Sequence, residues 1–392
     1  MKHPRRTAGG VSLGSTIVKE PVMSSCLVVF ALVATLDAPA TTIKIAPGDD
    51  SHPPGFLVAP EGSPFIPWGF NYDHDEKGRL LEDYWGNEWP KIEQDFAEMK
   101  TLGANVVRIH LQVNKFLRSP DEPNADSLAR LKKLLEVATR NRLALDITGL
   151  GCYRKKDVPE WYDALDEPSR WKAQARFWSA VAETCANSPA VFCYDLMNEP
   201  IVPGGTRKAG DWLGPPFGEF CFVQFITLDQ KDRPREEIAK KWVETLTAAI
   251  RKSDPNHLVT LGLVDWSLKR PKTLYSGFDP KEVSGPLDFL SVHIYPEAGD
   301  AKRAEALATL QGFSVPGKPV VIEETFSLKC GIAEWKKFVE ASRKDASGWV
   351  GFYWGKTVAE CRKSGTIADA IMAEWLDAFR ELAPTMKSRS GK

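Results

Sequence analysis

The chain has 392 residues, of which 43% are hydrophobic and 26% are charged, and this composition is typical of a folded globular protein rather than a disordered one. Lys and Arg number 51 and Asp and Glu number 52, which gives a formal net charge of −1. This balance excludes an overall field that would attract nucleic acid or an acidic membrane surface, and it favours a neutral or weakly charged ligand.

The first 40 residues have the pattern of an export signal. Lys2, Arg5 and Arg6 precede an apolar stretch at 22–36, and alanines at 38 and 40 follow it with the spacing of a signal-peptidase site. The stretch is shorter than the roughly 20 apolar residues of a membrane span. We therefore predict a signal segment at 1–40, a secreted or periplasmic protein, and no stable membrane insertion after the segment is removed. An uncleaved anchor, a helix packed on the domain and a start at Met23 are the alternatives.

Residues 41–392 show no convincing internal boundary and are predicted to form a single domain. They hold six of the seven cysteines, and none of these forms a CxxC pair, so a structural zinc site is not expected. Six thiols could pair as disulfides in an oxidising compartment, and buried free thiols are the alternative.

From about residue 64 onward, short runs rich in β-branched and aromatic residues alternate with longer segments of helical period. The eight predicted strands are, in chain order, PFIPWGFNY, ANVVRIHL, LALDITG, VFCYDLMNE, HLVTLGLVD, DFLSVHIYP, KPVVIEETF and GWVGFYWGK. The segments between them carry apolar residues three and four apart, and one more such segment, ADAIMAEWLDAFREL, follows the last strand.

Strands that are almost continuously apolar, each followed by a crossover, are typical of a parallel sheet covered by helices. Eight such units predict an α/β fold, a closed (β/α)8 TIM barrel. An open doubly wound sheet is the alternative, but no Gly-rich phosphate loop follows the first strand. A short N-terminal β-hairpin around Glu61-Gly62 is predicted to plug the barrel floor, and a long insertion at 201–233 follows the fourth strand.

Polar or aromatic side chains stand at the ends of six predicted strands. In such a barrel the active site is built at the carboxyl ends of the strands, and buried charges cost several kcal/mol unless they are paired. We therefore predict that these side chains surround a functional site. They are Asn71 in the first strand, Arg108 and His110 in the second, Asn198 and Glu199 in the fourth, His293 and Tyr295 in the sixth, Glu323 and Glu324 in the seventh, and Trp354 in the eighth.

Glu199 and a glutamate of the seventh strand are predicted to face each other across a cleft. Glycoside hydrolysis needs such a pair, because one carboxyl group protonates the leaving oxygen while the other attacks the sugar or activates a water. A metal-dependent barrel hydrolase is the competing class. It would need two or more His or Asp at ligand spacing, and only His74 lies near the first strand, so we predict neither a metal nor a cofactor.

Five stretches in chain order resemble glycoside hydrolase family 5, the cellulase-like family of retaining (β/α)8 glycosidases. They are GANVVRIHL, DLMNEP, SVHIYP, KPVVIEETF and GFYWGK, and they span most of residues 64–360. The resemblance implies a retaining β-glycosidase. Its substrate would be an oligosaccharide, a polysaccharide or a glycoside, with a β-linked glucan, mannan or related glycan as the sugar chain. Cleavage could be endo or exo. Two departures from the family pattern are Thr325-Phe326, in place of an aromatic-glycine pair, and Thr148, where many members have a His.

The resemblance also implies roles for individual residues. Glu199 would be the acid/base and Glu324 the nucleophile, with Arg108 and Tyr295 keeping Glu324 ionised. The two carboxyl groups would then lie about 5 to 5.5 Å apart. In supporting roles, Asn198 would hydrogen-bond the sugar 2-hydroxyl, His293 would contact Glu199, Trp354 would form an apolar floor under the sugar, and Asn71 would complete the site.

Several of these residues have a structural alternative. Arg108 could be an ion-pair partner only, Trp354 a core aromatic, and His110 a core histidine, and for this reason no catalytic or substrate-binding role is predicted for His110. Trp212 in the insertion and Trp266 after the fifth strand are predicted to line a sugar cleft, because aromatic faces stack on the apolar faces of pyranose rings. The alternative to an enzyme is a catalytically silent carbohydrate-binding relative.

Overall fold

The computed structural model describes Gly10, Gly14 and residues 42–49, 52–271 and 273–388. Apart from the two glycines, the predicted signal segment lies outside these residues. Within the described part of the chain, no helix is both long enough and apolar enough to cross a membrane.

Eight parallel strands close into a barrel in chain order, the last pairing with the first. Every residue of these strands is buried, which explains why the strands are almost continuously apolar. This arrangement confirms the predicted (β/α)8 fold. The strands are β1 (Trp68–Tyr72), β2 (Val106–Gln112), β3 (Ala144–Gly151), β4 (Val191–Asn198), β5 (Leu258–Val264), β6 (Leu290–His293), β7 (Val320–Glu324) and β8 (Gly348–Phe352).

A helix follows each barrel strand. The principal helices are α1 (Trp89–Thr101), α2 (Ala125–Asn141), α3 (Glu167–Cys185), α4 (Arg235–Ser253), α5 (Pro280–Val283), α6 (Asp300–Gly312), α7 (Ile332–Ser342) and α8 (Ile367–Met386). Shorter helical turns lie at Leu81–Tyr84, Val113–Phe116, Lys155–Asp157, Glu160–Asp163, Asp265–Ser267 and Val358–Ser364. Side-chain caps fix several starts: Asn124 accepts a hydrogen bond from the Asp126 N–H (3.2 Å) before α2, and Thr366 accepts one from the Asp369 N–H (3.1 Å) before α8.

A three-stranded antiparallel sheet precedes the barrel. It contains the predicted hairpin, Gly55–Ala59 with Ser63–Phe65, and a strand that was not predicted, Thr42–Ala46. Phe56 of the hairpin packs edge-on against Phe192 (5.2 Å) and Phe289 (5.1 Å) at the amino ends of β4 and β6. The sheet therefore covers the floor of the barrel and leaves the carboxyl ends of the strands for a site.

The long insertion after β4 is confirmed, and a small two-stranded sheet joins its beginning to its later part. Pro200–Ile201 pairs in parallel with Gln224–Phe225. Trp212, predicted to line a sugar cleft, is instead only 1% exposed. Its indole N–H donates to the Asp163 carbonyl (3.1 Å), and the Arg170 guanidinium lies over its ring. Trp212 therefore holds the insertion against α3 and the turn before it, and it offers no face to a sugar.

The six cysteines of the described domain are free thiols, and all but Cys330 are buried. Burial raises the pKa of Cys152 to about 12, because a thiolate is poorly solvated in an apolar surrounding. The buried thiols fit the core-packing alternative rather than a disulfide framework.

Candidate active site

The predicted polar site residues converge at the carboxyl ends of the strands, whereas Trp212 does not. Several of the polar side chains form one hydrogen-bonded network centred on Arg108 of β2, which is fully buried. One terminal nitrogen of Arg108 donates to Glu324 Oε1 (2.7 Å) and Asn71 Oδ1 (2.9 Å). The other donates to Asp195 Oδ2 (2.7 Å) and Asn198 Oδ1 (3.0 Å). Arg108 of β2 therefore links β1, β4 and β7 at the rim. Its ion pairs hold the strands together and also fix the position of Glu324.

Asp195 is a member of this network that sequence reasoning missed. It lies on β4 and is fully buried. Besides Arg108, its carboxylate accepts hydrogen bonds from Thr148 Oγ1 (2.7 Å) and the Gly262 N–H (2.8 Å). The signal was available in the sequence, because an aspartate in the middle of the apolar run CYDLM must find a partner inside the barrel. Thr148, noted as a departure from the family pattern, is thus one of the groups that hold Asp195.

Asn71 supports the network rather than facing a ligand. Its side-chain amide donates to the carbonyls of Glu323 (2.9 Å) and Gly351 (3.0 Å), and its oxygen accepts from Arg108. The residue is fully buried. Both amide hydrogens and the amide oxygen of Asn71 are therefore used to position Arg108 and to link β1 to β7 and β8.

Glu324 ends β7 and is held at both oxygens. Arg108 contacts Oε1, and the hydroxyl of Tyr295 donates to Oε2 (2.5 Å). Burial raises the pKa of Glu324, and the nearby Glu199 adds to that effect, while His293, Arg108 and the Tyr295 hydrogen bond oppose it. Arg108 and Tyr295 thus favour the ionised form as expected, but they only partly offset burial.

Glu199 is aimed into the site by an unusual backbone. A residue that precedes proline is normally extended, yet Glu199 has a φ of +48°, in the left-handed region. Such a conformation costs about 1–3 kcal/mol and is concentrated at functional sites. The Glu199 N–H donates to the Gly262 carbonyl (3.0 Å), which holds the turn. The strand therefore ends in a bend that turns the carboxylate towards β6 and β7.

His293 of β6 lies between the two carboxylates. Its Nδ1 is 2.9 Å from Glu199 Oε1. Burial alone would lower the pKa of His293, but Glu324, Glu199 and Glu323 around the ring raise it to about 10. The imidazole is therefore a cation at neutral pH and donates to Glu199.

The two carboxylates lie close together. One carboxylate oxygen of Glu199, one of Glu324 and a ring nitrogen of His293 all lie within 4.8 Å of one another. Such close oxygens are compatible with the short separation, about 5 to 5.5 Å between carboxyl groups, that retaining glycosidases show.

Glu323, the other glutamate of β7, points into the barrel interior and is fully buried. It lies 3.5 Å from Arg108 and 3.5 Å from His293, within a cluster that also holds Asp146 and Asp195. Burial would raise the pKa of Glu323, but Arg108 and His293 lower it to about 2. Glu323 is thus a fixed anion beneath the site, and Glu324 is the glutamate of β7 that reaches the cleft.

Trp354 follows β8 and is half-buried at the edge of the site. Its indole N–H donates to Asp73 Oδ1 (3.2 Å), and its ring packs near Phe352 and Phe326. Trp266, also half-buried, lines an open cavity of about 190 Å³ that also touches Tyr295. Both rings are therefore only partly covered by the protein, and their contact with a sugar stays a prediction.

His110 lies under the site. It is buried and hydrogen-bonds the hydroxyl of Tyr153 and Asn71 Oδ1 (3.3 Å). Burial and the charge of Arg108 lower the pKa of His110, so the ring is neutral at physiological pH. This placement agrees with the interpretation of His110 as a core histidine.

The chain is similar in sequence to proteins of known family. The sequence model of the family described as Cellulase (glycosyl hydrolase family 5) matches residues 60–357. Mannan endo-1,4-beta-mannosidase A of Hypocrea jecorina is 24% identical over 316 residues, which cover 70% of this chain and 65% of that protein. The enzyme of the same name from Emericella nidulans is 22% identical over 234 residues, 55% of this chain and 53% of its own. The chain thus spans less than two thirds of the length of these relatives.

Solved structures share the fold. An exo-beta-1,4-mannosidase from an Opitutaceae bacterium aligns with a TM-score of 0.62 and 19% identity over 87% of this chain and 62% of that one. An endo-1,4-beta-mannanase from Eisenia fetida aligns with a TM-score of 0.59 and 14% identity over 87% of this chain and 95% of that one. At these identities the likeness shows the barrel fold.

Proposed function

The chain belongs to the cellulase family, glycosyl hydrolase family 5, and from this membership we propose that it hydrolyses β-glycosidic bonds with retention of anomeric configuration. The observation that carries the proposal is the short separation of the Glu199 and Glu324 oxygens at the carboxyl ends of β4 and β7. Two carboxyl groups so placed fit attack by one and proton transfer by the other.

In the first step, the Glu324 carboxylate attacks the anomeric carbon. The bond from that carbon to the leaving oxygen breaks, and Glu199 gives its proton to that oxygen. A glycosyl ester on Glu324 results. In the second step, Glu199 takes a proton from a water that attacks the same carbon, the ester bond breaks, and Glu324 is again a carboxylate. These steps use only groups of the chain, so we propose that neither a metal nor a cofactor takes part.

The neighbouring residues fit supporting roles in these steps. Arg108 and Tyr295 occupy both oxygens of Glu324 and orient it towards the anomeric carbon. His293, as a cation, orients the Glu199 carboxyl group. Asn198 is held beside Arg108, where a free amide hydrogen can reach a sugar hydroxyl. The Trp354 ring forms an apolar platform for the sugar that is attacked.

We propose a β-linked mannan or mannose-containing glycan as the substrate, with β-glucan as the second candidate. The support is the name of the two fungal relatives, both mannan endo-1,4-beta-mannosidases. The test is product analysis on β-mannan, β-1,4-glucan, mixed-linkage glucan and aryl β-glycosides, each with and without a chelator. Cleavage of β-mannan that survives chelation supports the proposal. Binding without any cleavage would indicate a carbohydrate-binding relative, and loss on chelation would indicate a metal-dependent hydrolase.

We further propose export of the chain, supported by the basic, apolar and small-residue pattern of the first 40 residues. Expression in a secreting host followed by amino-terminal sequencing tests it. A secreted protein that begins just after Ala40 is expected, and an intact amino terminus retained in the cytoplasm would contradict it.

Replacing Tyr295 by phenylalanine should shift the acidic limb of the activity profile to higher pH. Activity needs Glu324 ionised and is lost as the pH falls through its pKa. The Tyr295 hydrogen bond lowers that pKa, so removing the hydroxyl raises it further. We expect kcat/KM at neutral pH to fall about tenfold or more, since a hydrogen bond to a charged group contributes about 1.5–3 kcal/mol.

The matched control is Tyr275→Phe, which removes a hydroxyl that donates to Glu236 (3.0 Å) beside α4. The measurement is the pH dependence of kcat/KM for both variants and wild type, and the acidic limb should move in Tyr295→Phe but not in Tyr275→Phe. An acidic limb that stays in place in Tyr295→Phe would show that the hydroxyl does not tune Glu324.

A further inference from the structure

Five aromatic rings form a continuous arc along one half of the rim of the site. The centroid of Tyr153 lies 5.2 Å from Phe222, Phe222 lies 5.4 Å from Phe220, and Phe220 lies 5.1 Å from His74. His74 in turn lies 5.7 Å from Trp354. We call these residues the aromatic arc. It joins the loop after β3, the insertion after β4, the loop after β1 and the loop after β8.

The aromatic arc is built into the fold. Phe220 is 8% exposed and packs with Leu80 and Tyr153 in one small apolar cluster. The Cys221 N–H donates to the Tyr153 carbonyl (2.7 Å), which holds the insertion onto the loop after β3. The Asn198 side chain donates to the Phe222 carbonyl (3.2 Å), which ties the insertion to the catalytic centre. The insertion therefore crosses the rim as a fixed wall from β4 to β1.

The direction of the sugar chain follows from the two carboxylates. Glu199 protonates the leaving oxygen, so the leaving part of the substrate extends from Glu199 towards β5 and β6. An open cavity lies there, lined by Asp265, Trp266 and Tyr295 among others. The sugar that is attacked rests against Trp354, on the opposite side. The aromatic arc thus stands beyond the non-reducing end of that sugar.

We infer that the enzyme acts from the chain end, removing single sugars from the non-reducing end of its β-linked substrate. This inference rests on the proposed function and specifies it. His74 contacts both the platform ring of Trp354 and the wall residue Phe220, so the wall begins immediately beyond the platform, where a second sugar of a longer chain would meet it. The Asp73 carboxylate, which accepts hydrogen bonds from His74 (2.8 Å) and Trp354 (3.2 Å), places a polar group at this closed end for the hydroxyls of a terminal sugar.

The first test uses the full chain with mannohexaose and cellohexaose, each reduced at its reducing end, and with dyed insoluble mannan and glucan. We expect free monosaccharide and a series of alditols that shorten by one unit at a time, with no dye released. Early di- or trisaccharides together with dye release would overturn the inference and leave the proposed function standing. No turnover of any of these substrates or of aryl β-glycosides would contradict the proposed function, and the inference with it.

The second test opens the wall with Phe220→Ala. The matched control is Phe217→Ala, because Phe217 lies in the same insertion, is 74% exposed and takes no part in the ring contacts of the arc. The ratio of disaccharide to monosaccharide released from the reduced hexasaccharide should rise about tenfold or more in Phe220→Ala, as expected for removal of a steric penalty of about 1.4 kcal/mol. The ratio should not change in Phe217→Ala.

A third variant, His74→Ala, removes the partner ring of the His74–Phe220 contact. It tests the wall independently if Phe220→Ala does not fold. Thermal unfolding shows which of the two variants are folded. Folded variants that keep the product ratio of wild type would overturn the inference, because the wall would then have no influence on where the chain is cut.

Discussion

Replacing Glu324 by alanine is expected to abolish hydrolysis, with kcat reduced by about 10⁴-fold or more, the scale seen when an enzymatic nucleophile is removed. Without this carboxylate no glycosyl ester forms, and Arg108 and Tyr295 lose the anion that they hold. The measurement is turnover of an aryl β-glycoside and of the natural glycan, with retained binding of a product sugar as the sign of an intact fold. Glu340→Ala, on the exposed side of α7, is the matched control and should keep wild-type activity.

Added azide makes the test of Glu324 specific. In Glu324→Ala, azide can occupy the space of the carboxylate and attack the anomeric carbon of an activated β-glycoside, while Glu199 protonates the leaving oxygen. The product is a glycosyl azide of inverted, α configuration. Full activity in Glu324→Ala, or an α-azide formed only when Glu323 is replaced, would contradict the assignment of the nucleophile.

Replacing Glu199 by alanine is expected to separate the two steps. With poor leaving groups, kcat/KM should fall by about 10²–10⁴-fold, because the leaving oxygen no longer receives a proton. With a dinitrophenyl glycoside the first step needs no proton, so kcat/KM should change much less while kcat falls and the glycosyl ester accumulates. Steady-state kinetics on both substrates with a burst measurement decide this.

Azide gives Glu199→Ala its own signature. Here azide attacks the glycosyl ester on Glu324 in the place of water, so the product has the β configuration. Equal losses of kcat/KM on the good and the poor leaving group, or an α-azide product, would show that Glu199 does not transfer the proton.

Much of the barrel was predictable from the sequence because its strands are buried on both faces. β4 and β5, for example, are almost continuously apolar. The convergence of Glu199, Glu324, His293 and Arg108 was predictable as well, since parallel strands bring all their carboxyl ends to one rim. The strand at Thr42–Ala46 was missed although its sequence, TIKIA, has the β-branched alternation typical of a half-buried strand.

The path of the insertion after β4 was not predictable. Trp212 was predicted to line a sugar cleft because it lies in a long loop, but its contacts with Asp163 and Arg170 depend on tertiary packing against α3. The aromatic arc has the same origin, because Phe220 and His74 are far apart in sequence and meet only across the rim. Loops carry the binding residues of a barrel, so the position of cleavage depends on contacts of this kind and could not be predicted from the strand pattern.

The stereochemical course of the reaction tests the central claim most directly. Proton NMR during the first minutes of hydrolysis of a β-glycoside, before mutarotation, shows which anomer is released first. A sugar released as the β anomer is the predicted result, since two displacements at Glu324 restore the original configuration. Release as the α anomer would mean a single displacement by water and would contradict the double-displacement mechanism.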